Sequence, residues 1–168
     1  MRYKDDFDSK LGLSNSEFQK IIKFYLFECP VDGTSYRGEK FSEYGIAGVK
    51  AFATLKKLMF LTASISLKEN YFPCKKDELE SKMQLVATID YPNEFCVFLR
   101  NEGKTIMQSL FATIRNAFAH GSFRVDSYKG ERIYYFLNHN GYDKARLVLK
   151  ENTLLKWIDC VKNFNKNK

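Results

Sequence analysis

The spacing of apolar residues changes at Gly121, and this change limits the folds that the chain can adopt. Before Gly121 the apolar side chains recur at three- and four-residue intervals, which is typical of helices that bury one face. After it they alternate with polar residues, and the turn pairs Lys129-Gly130 and Asn140-Gly141 interrupt the alternation. The pattern therefore predicts helices first and an antiparallel meander second.

Helical spacing and capping residues predict four helices before Gly121. The first follows the capping residues 14–17 and ends near Cys29-Pro30. The second, a central helix, starts near Glu43, continues for more than twenty residues and stops before Pro73. The third covers 76–88, and the fourth covers about 103–120. The apolar run at 95–99 fits either a helix or a strand.

Three strands and a last helix are predicted after Gly121. The alternating apolar and aromatic positions lie around 123–127, 133–137 and 145–149, and an amphipathic helix follows them. A chain of 168 residues fits one domain. We therefore expect a mainly α fold, in which a helical bundle over about 14–121 is followed by a small antiparallel β-meander over about 122–149 and a C-terminal helix over about 151–164.

The chain is basic, with 27 Lys and Arg against 20 Asp and Glu and a net charge of +7. An excess of positive charge favours anionic partners such as nucleic acid. Part of the excess lies in the closing run 163–168, which is typical of a solvated tail. Charge alone therefore leaves an RNA partner and an ordinary solvated surface both open.

The cysteines and the apolar stretches indicate the compartment. Cys29, Cys74, Cys96 and Cys160 are far apart and form no Cys-x-x-Cys pair, which favours buried thiols over a zinc site or a disulfide framework. The N-terminus is charged and resembles no signal peptide, and the apolar stretch at 58–67 is too short to span a bilayer. We expect a cytoplasmic protein with no membrane partner, no metal and no other cofactor.

The end of the fourth predicted helix holds a cluster of polar residues, Arg115-Asn116-Ala117-Phe118-Ala119-His120. Asn116 and His120 are one turn apart and share a face, whereas Arg115 lies roughly 140° around the helix from His120. Two arrangements can bring the pair together. Either the long side chain of Arg115 reaches around its own helix, or two copies of the segment meet across a two-fold axis.

These residue types suit the cleavage of RNA without a metal. That reaction needs one group to remove the 2′-hydroxyl proton, another to protonate the leaving 5′-oxygen, and positive charge on the phosphorane. An imidazole such as that of His120 can transfer protons near neutrality, and the guanidinium of Arg115 offers a planar fork to phosphate oxygens. The amide of Asn116 can orient either partner. Arg115, Asn116 and His120 are therefore the candidate catalytic residues.

The same segment resembles the Arg-x(4–6)-His motif of HEPN domains, including the polar residue that often follows the arginine. The wider string at 110–123, followed by aromatic strands and a last helix, is similar to a plasmid- and defence-associated HEPN branch. The resemblance implies a HEPN-like helical bundle and a homodimer with two motifs facing one cleft. It also implies metal-independent RNase activity in many members.

Two functions are compatible with this resemblance. The first is an endoribonuclease that leaves 2′,3′-cyclic phosphate and 5′-hydroxyl ends, in a toxin or defence setting with a possible antitoxin partner. In it His120 is the general acid or base and Arg115 stabilises the phosphorane. The second is a non-catalytic module that binds RNA or a nucleotide, or serves as a dimeric interaction domain.

Each candidate residue also has a structural interpretation. Arg115 could pair with a carboxylate, Asn116 could satisfy backbone groups, and His120 could simply end its helix. Only their coincidence in one short segment favours a site. His139 stands in a turn sequence, so we expect a solvated loop histidine and do not count it as a candidate.

Further RNA contacts are expected from residues outside the motif. The RNA-binding candidates are Tyr36, Arg37 and Arg124. Aromatic residues of the strands could stack on unpaired bases or pack on the bundle, and the alternation favours packing. These aromatic residues are Phe123, Tyr128, Tyr134, Tyr135 and Phe136.

Overall fold

The structure, a computed structural model, describes residues 15–31 and 40–166. Six α-helices and five strands occur within these residues. In chain order they are α1 Ser16–Ile22, α2 Gly48–Leu61, α3 Ile65–Glu69, β1 Tyr71–Cys74, α4 Lys76–Val86, β2 Phe95–Leu99, α5 Ile106–Ala119, β3 Phe123–Tyr128, β4 Glu131–His139, β5 Asp143–Lys150 and α6 Glu151–Lys162. Within the described ranges every helix is too short or too polar to cross a membrane.

The five strands form one mixed sheet in the order β1-β2-β5-β4-β3. β1 and β2 are parallel, and the other neighbouring pairs are antiparallel. The predicted meander is present as β3-β4-β5, but it is part of a larger sheet. The prediction of a mainly α bundle with a small meander is therefore wrong, and the fold is α/β.

β1 and β2 explain the error. β2 has a continuous apolar sequence because both of its faces are covered: Cys96 and Phe98 pack into one core and Phe95 and Val97 into another. A strand buried on both faces shows no alternation, so its sequence also fits a helix. β1 is only four residues long and contains Pro73. Proline is tolerated there because β1 is an edge strand.

The central helix is also shorter than predicted. A 3₁₀ turn at Phe41–Tyr44 ends at Gly45, whose φ of 75° is left-handed, and α2 begins only at Gly48. After α2 the chain starts a new helix, α3, because the Ser64 hydroxyl caps it by accepting a hydrogen bond from the Leu67 N–H at 3.2 Å. Apolar spacing continues across these breaks, so periodicity alone predicts one helix.

The sheet separates two hydrophobic cores. α1, α2, α5 and α6 cover one face and enclose the larger core, with α1 continuing as a π-helical turn at Lys23–Glu28. α4 covers part of the other face and encloses the smaller core. β4 contributes to both: Tyr134 and Phe136 are buried in the larger core, and Ile133 is buried in the smaller one. β4 therefore lies between the two cores, with one side chain face in each.

Helix α5 begins and ends with defined caps. Thr105 and Gln108 form a capping box at its start. At its end Gly121 adopts a left-handed φ of 63°, and the Ser122 N–H donates to the Ala117 carbonyl at 2.8 Å. This is a Schellman turn, which satisfies the last carbonyls of a helix and reverses the chain. The prediction that a helix stops at Gly121 is confirmed.

Gly121 offers a direct test of this turn. We expect Gly121→Ala to lower the free energy of unfolding by about 1 kcal/mol, because an L side chain in left-handed backbone costs that much. A Cβ at this position meets no atom within 4 Å, so packing should add nothing. Urea unfolding measures the change. Gly121→Asn should cost less because Asn enters this region more readily, and an alanine variant as stable as wild type would contradict the account.

Candidate functional site

A polar cavity of about 240 Å³ lies where the end of α5 meets the β4–β5 hairpin. We call it the histidine pocket because both histidines of the chain line it. One apolar side chain, Leu99, and nine polar residues line it. The polar residues are Asn101, Thr113, Asn116, His120, Ser122, Asn138, His139, Asn140 and Lys144.

Two backbone features place His120 in this pocket. His120 follows the last residue of α5, and its own N–H still donates to the Asn116 carbonyl at 3.0 Å, so the two residues share a face as predicted. The chain then reverses, and the Leu137 N–H of β4 donates to the Ser122 carbonyl at 3.0 Å. His120 is exposed and lines the pocket.

Arg115 is close to this group but does not line the pocket. Its Nη1 donates to the Asn116 Oδ1 at 3.2 Å, and the side chain is half-buried. On that side of α5 burial raises the pKa of the Cys29 thiol, and the nearby positive charge of Arg115 acts against this rise. Within one chain the bond that places the guanidinium is therefore the one to Asn116.

The Arg115 bond fixes which way the Asn116 amide faces. A guanidinium has only donors, so the amide atom that meets it must be the oxygen. The Nδ2 of Asn116, with its two N–H donors, is then left for other partners, and Asn116 lines the pocket. A hydrogen-bond donor at this position suits a phosphate oxygen.

His139 is solvent-exposed, as the sequence suggests, but it lies at the end of a strand rather than in a turn. It is the last residue of β4, next to a register irregularity at Asn138/His139, and it lines the pocket opposite the helix. Its Nδ1 lies 2.9 Å from the Asp143 Oδ1, and the Arg146 Nη2 donates to the other carboxylate oxygen at 3.1 Å. The hairpin therefore holds a His-Asp-Arg chain at the edge of the pocket.

The charge of Asp143 decides the proton position on His139. The hydrogen bond from His139 holds the pKa of the Asp143 carboxyl below its usual value, and the bond from Arg146 acts in the same direction. An ionised carboxylate only accepts hydrogen bonds, so the Nδ1 of His139 must carry a proton. The Nε2 is then the nitrogen that can exchange a proton with a ligand.

A sequence signal for His139 does exist. His139 and Asp143 are cross-strand partners on either side of the short β4–β5 turn. Residues that face each other across a hairpin interact directly, so a histidine four residues before an aspartate around an Asn-Gly pair predicts such a contact. The turn interpretation missed it because it treated 138–141 as loop, whereas β4 continues through His139.

The pocket is also tied to α5 and carries positive charge. The Asn138 Nδ2 donates to the Thr113 carbonyl of α5 at 2.9 Å, which links the end of β4 to the helix. Lys144 supplies a cation to the lining, and no Asp or Glu of the described residues lines the pocket. The arrangement combines two imidazoles, an ammonium and amide donors, which suits a phosphate ester more than a cation.

The remaining RNA-binding candidates lie elsewhere. Tyr36 and Arg37 fall outside the described residues. Arg124 is on the exposed side of β3, where its Cζ lies 4.4 Å above the Tyr135 ring and its Nη2 lies 3.8 Å from the Asp126 carboxylate. It does not line the histidine pocket, but it lines a neighbouring cavity.

The five candidate stacking residues divide into two groups. Tyr134 and Phe136 are buried in the larger core and Phe123 packs against it, so these three serve packing. Tyr128 and Tyr135 lie on the other face of the sheet, where Tyr128 is exposed and Tyr135 is half-buried. Only the second group is available to a base.

Comparisons with known proteins add no relative: no family model matches this chain, and neither the curated proteins nor the solved structures give a match. The resemblance to HEPN domains therefore stays a prediction. It depends on the residues at 115–120 and their place at the end of α5.

The proton position on His139 can be tested by removing its partner. In Asp143→Ala we expect neutral His139 to lose its preference for a proton on Nδ1, because the carboxylate acceptor is gone. The ¹⁵N NMR shifts of the imidazole nitrogens report this. Asp126→Ala is the matched control, because its carboxylate pairs with Arg124 instead. An unchanged proton distribution in Asp143→Ala would contradict the assignment.

Proposed function

We propose that this protein is a metal-independent endoribonuclease that cleaves RNA in the histidine pocket. One observation carries the proposal: the two histidines of the chain, 19 positions apart, line one polar pocket together with Asn116 and Lys144. Cleavage of RNA through its own 2′-hydroxyl needs two proton transfers, and two imidazoles supply both. Such a reaction needs no metal ion.

The chemistry divides between the imidazoles. One imidazole takes the proton of the 2′-hydroxyl as that oxygen attacks the adjacent phosphorus. The other gives a proton to the 5′-oxygen as the bond between that oxygen and phosphorus breaks. The products are a 2′,3′-cyclic phosphate and a 5′-hydroxyl. We assign the second step, the donation of a proton to the 5′-oxygen, to His139. Its partner Asp143 suits this step, since a carboxylate on Nδ1 orients the ring and stabilises its protonated form.

Positive charge and hydrogen-bond donors are needed where the phosphorane forms. The Nδ2 of Asn116 and the ammonium of Lys144 are the groups in the pocket that suit this need. Arg115 was predicted to act on the phosphate directly. We instead assign it a positioning role, because its bond to the Oδ1 of Asn116 holds the amide and leaves the Nδ2 donors for another partner.

The biological setting of the proposal comes from the HEPN resemblance. That resemblance supports a cytoplasmic homodimer acting in a toxin or defence system, with an antitoxin as a possible protein partner. The net charge of +7 supports RNA as the substrate class.

The cleavage of an end-labelled, unstructured RNA in EDTA tests the proposal. We expect wild type to produce cyclic-phosphate ends, and His120→Ala and His139→Ala each to lower the rate by about a hundredfold or more, since a proton-transfer group contributes that much. Lys68→Ala, an exposed lysine on α3 outside the pocket, is the control and should keep wild-type activity.

Three outcomes would contradict the proposal. One is a wild-type protein that cuts none of a range of RNAs although its circular dichroism shows a folded state. Another is a histidine variant that keeps full activity, since both imidazoles are required. The third is activity that disappears in EDTA and returns with a divalent cation, which contradicts the metal-independent mechanism.

A double-mutant cycle tests the role of Arg115. If Arg115 acts through Asn116, the double variant Arg115→Ala/Asn116→Ala should be no slower than Asn116→Ala alone, within about twofold. Single-turnover cleavage rates measure the cycle. Rate losses that multiply would contradict the positioning role and mean that Arg115 contacts the RNA itself, from its own chain or from a second copy.

One observation favours a second function, a module that binds RNA without cleaving it. The arginine of the motif does not line the pocket within one chain, so the predicted Arg-His pair is not assembled there. This function predicts that wild type binds RNA, that no RNA is cut, and that His120→Ala leaves binding unchanged.

A further inference from the structure

A second cavity, of about 710 Å³, lies beside the histidine pocket on the other face of the sheet. We call it the aromatic cavity. Ser122 and His139 line both cavities, so the two cavities are direct neighbours. The side chains that matter here are Ile89, Tyr91, Arg124, Tyr135, Leu137 and Arg146.

The aromatic cavity exists because α4 covers only part of that face. α4 ends at Val86 and packs on β1 and β2, so among the described residues no helix packs on the outer part of β4 and β3 on this face. Leu137 is 41% exposed there and Tyr91 is 45% exposed. Apolar and aromatic surface is therefore open to solvent directly beside the polar pocket.

The aromatic cavity combines flat rings with positive charge. The rings of Tyr91 and Tyr135 are nearly parallel, at 8° and 6.1 Å between centroids. The guanidinium carbon of Arg124 lies 4.4 Å above the Tyr135 ring, and Arg146 stands at the side shared with His139. Among the described residues that line the cavity there is no Asp or Glu. Both arginines also pair with a carboxylate, Arg124 with Asp126 and Arg146 with Asp143. The tyrosine rings and the guanidinium plane of Arg124 suit a flat aromatic ligand, and a nucleobase is one.

We infer that the aromatic cavity holds an unpaired nucleobase of the RNA strand whose phosphate lies in the histidine pocket. The base stacks on the Tyr135 and Arg124 group, and the strand passes His139 between the two cavities. This assignment depends on the proposed function for its choice of RNA. It makes the protein specific for single-stranded or looped RNA, since a paired base cannot leave its helix without cost.

The binding of uncleavable oligonucleotides tests the base site separately from catalysis. The probes are a fluorescent 2′-O-methyl oligouridine and a fluorescent 2′-O-methyl sugar-phosphate strand of the same length that lacks bases. Neither has the attacking hydroxyl. We expect wild type to bind the base-bearing strand about tenfold more tightly in fluorescence anisotropy, which is the scale of one stacked base.

Two variants and one control locate this preference. Tyr135→Leu removes the ring, and Arg124→Lys keeps the charge but removes the planar group. Both should lose most of the tenfold preference while binding the baseless strand as wild type does. Because the side chain of Arg124 is 68% exposed, we expect Arg124→Lys to fold normally. It keeps the test decisive if Tyr135→Leu does not fold. Phe27→Leu changes an exposed ring that lines neither cavity, and it should keep the preference.

The outcomes separate this inference from the proposed function. Equal binding of both strands by wild type would overturn the base site, even if RNA is cleaved. So would a full preference in both Tyr135→Leu and Arg124→Lys. A preference that both variants lose supports the base site even if no RNA is cut, and in that case only the catalytic proposal fails.

Discussion

The turn at Gly121 determines how helix α5 meets the sheet, and both cavities depend on it. The left-handed backbone reverses the chain, and the Ser122 N–H closes the turn on the Ala117 carbonyl. The Ser122 carbonyl then accepts from the Leu137 N–H of β4. Ser122 therefore bonds to α5 through its N–H and to β4 through its carbonyl, and His120, two residues earlier, lies beside the end of β4. Backbone hydrogen bonds therefore bring the two histidine-bearing segments to one pocket.

The two faces of β4 then divide the chemistry. Tyr134 and Phe136 enter the helical layer and anchor the strand, whereas Tyr135 and Leu137 face the side that α4 leaves partly open. The alternation of side chains along a strand makes this division unavoidable. The polar pocket forms at the strand end, where the layers stop, and the aromatic cavity forms on the uncovered face beside it. The proposed phosphate site and the proposed base site can therefore be neighbours although they lie on different faces of the sheet.

Local sequence signals predicted part of this arrangement. The end of α5, the β3-β4-β5 meander and the last helix have clear periodicity or turn residues, and the structure has all three. The five-stranded sheet was missed because a strand buried on both faces, such as Phe95–Leu99, has no period of two. His139 was missed for a different reason. Its turn sequence was taken as loop although β4 continues through it, and its place in one pocket with His120 depends on tertiary contacts that no local pattern contains.

The central claim is that both histidines belong to one RNA site, and NMR can test it directly because the chain has only two. The two imidazole Cε1 proton signals are followed while an uncleavable 2′-O-methyl oligouridine is added. The account predicts that both signals move and that both follow one saturation curve. Movement of a single signal, or of neither while the oligonucleotide binds, would contradict it.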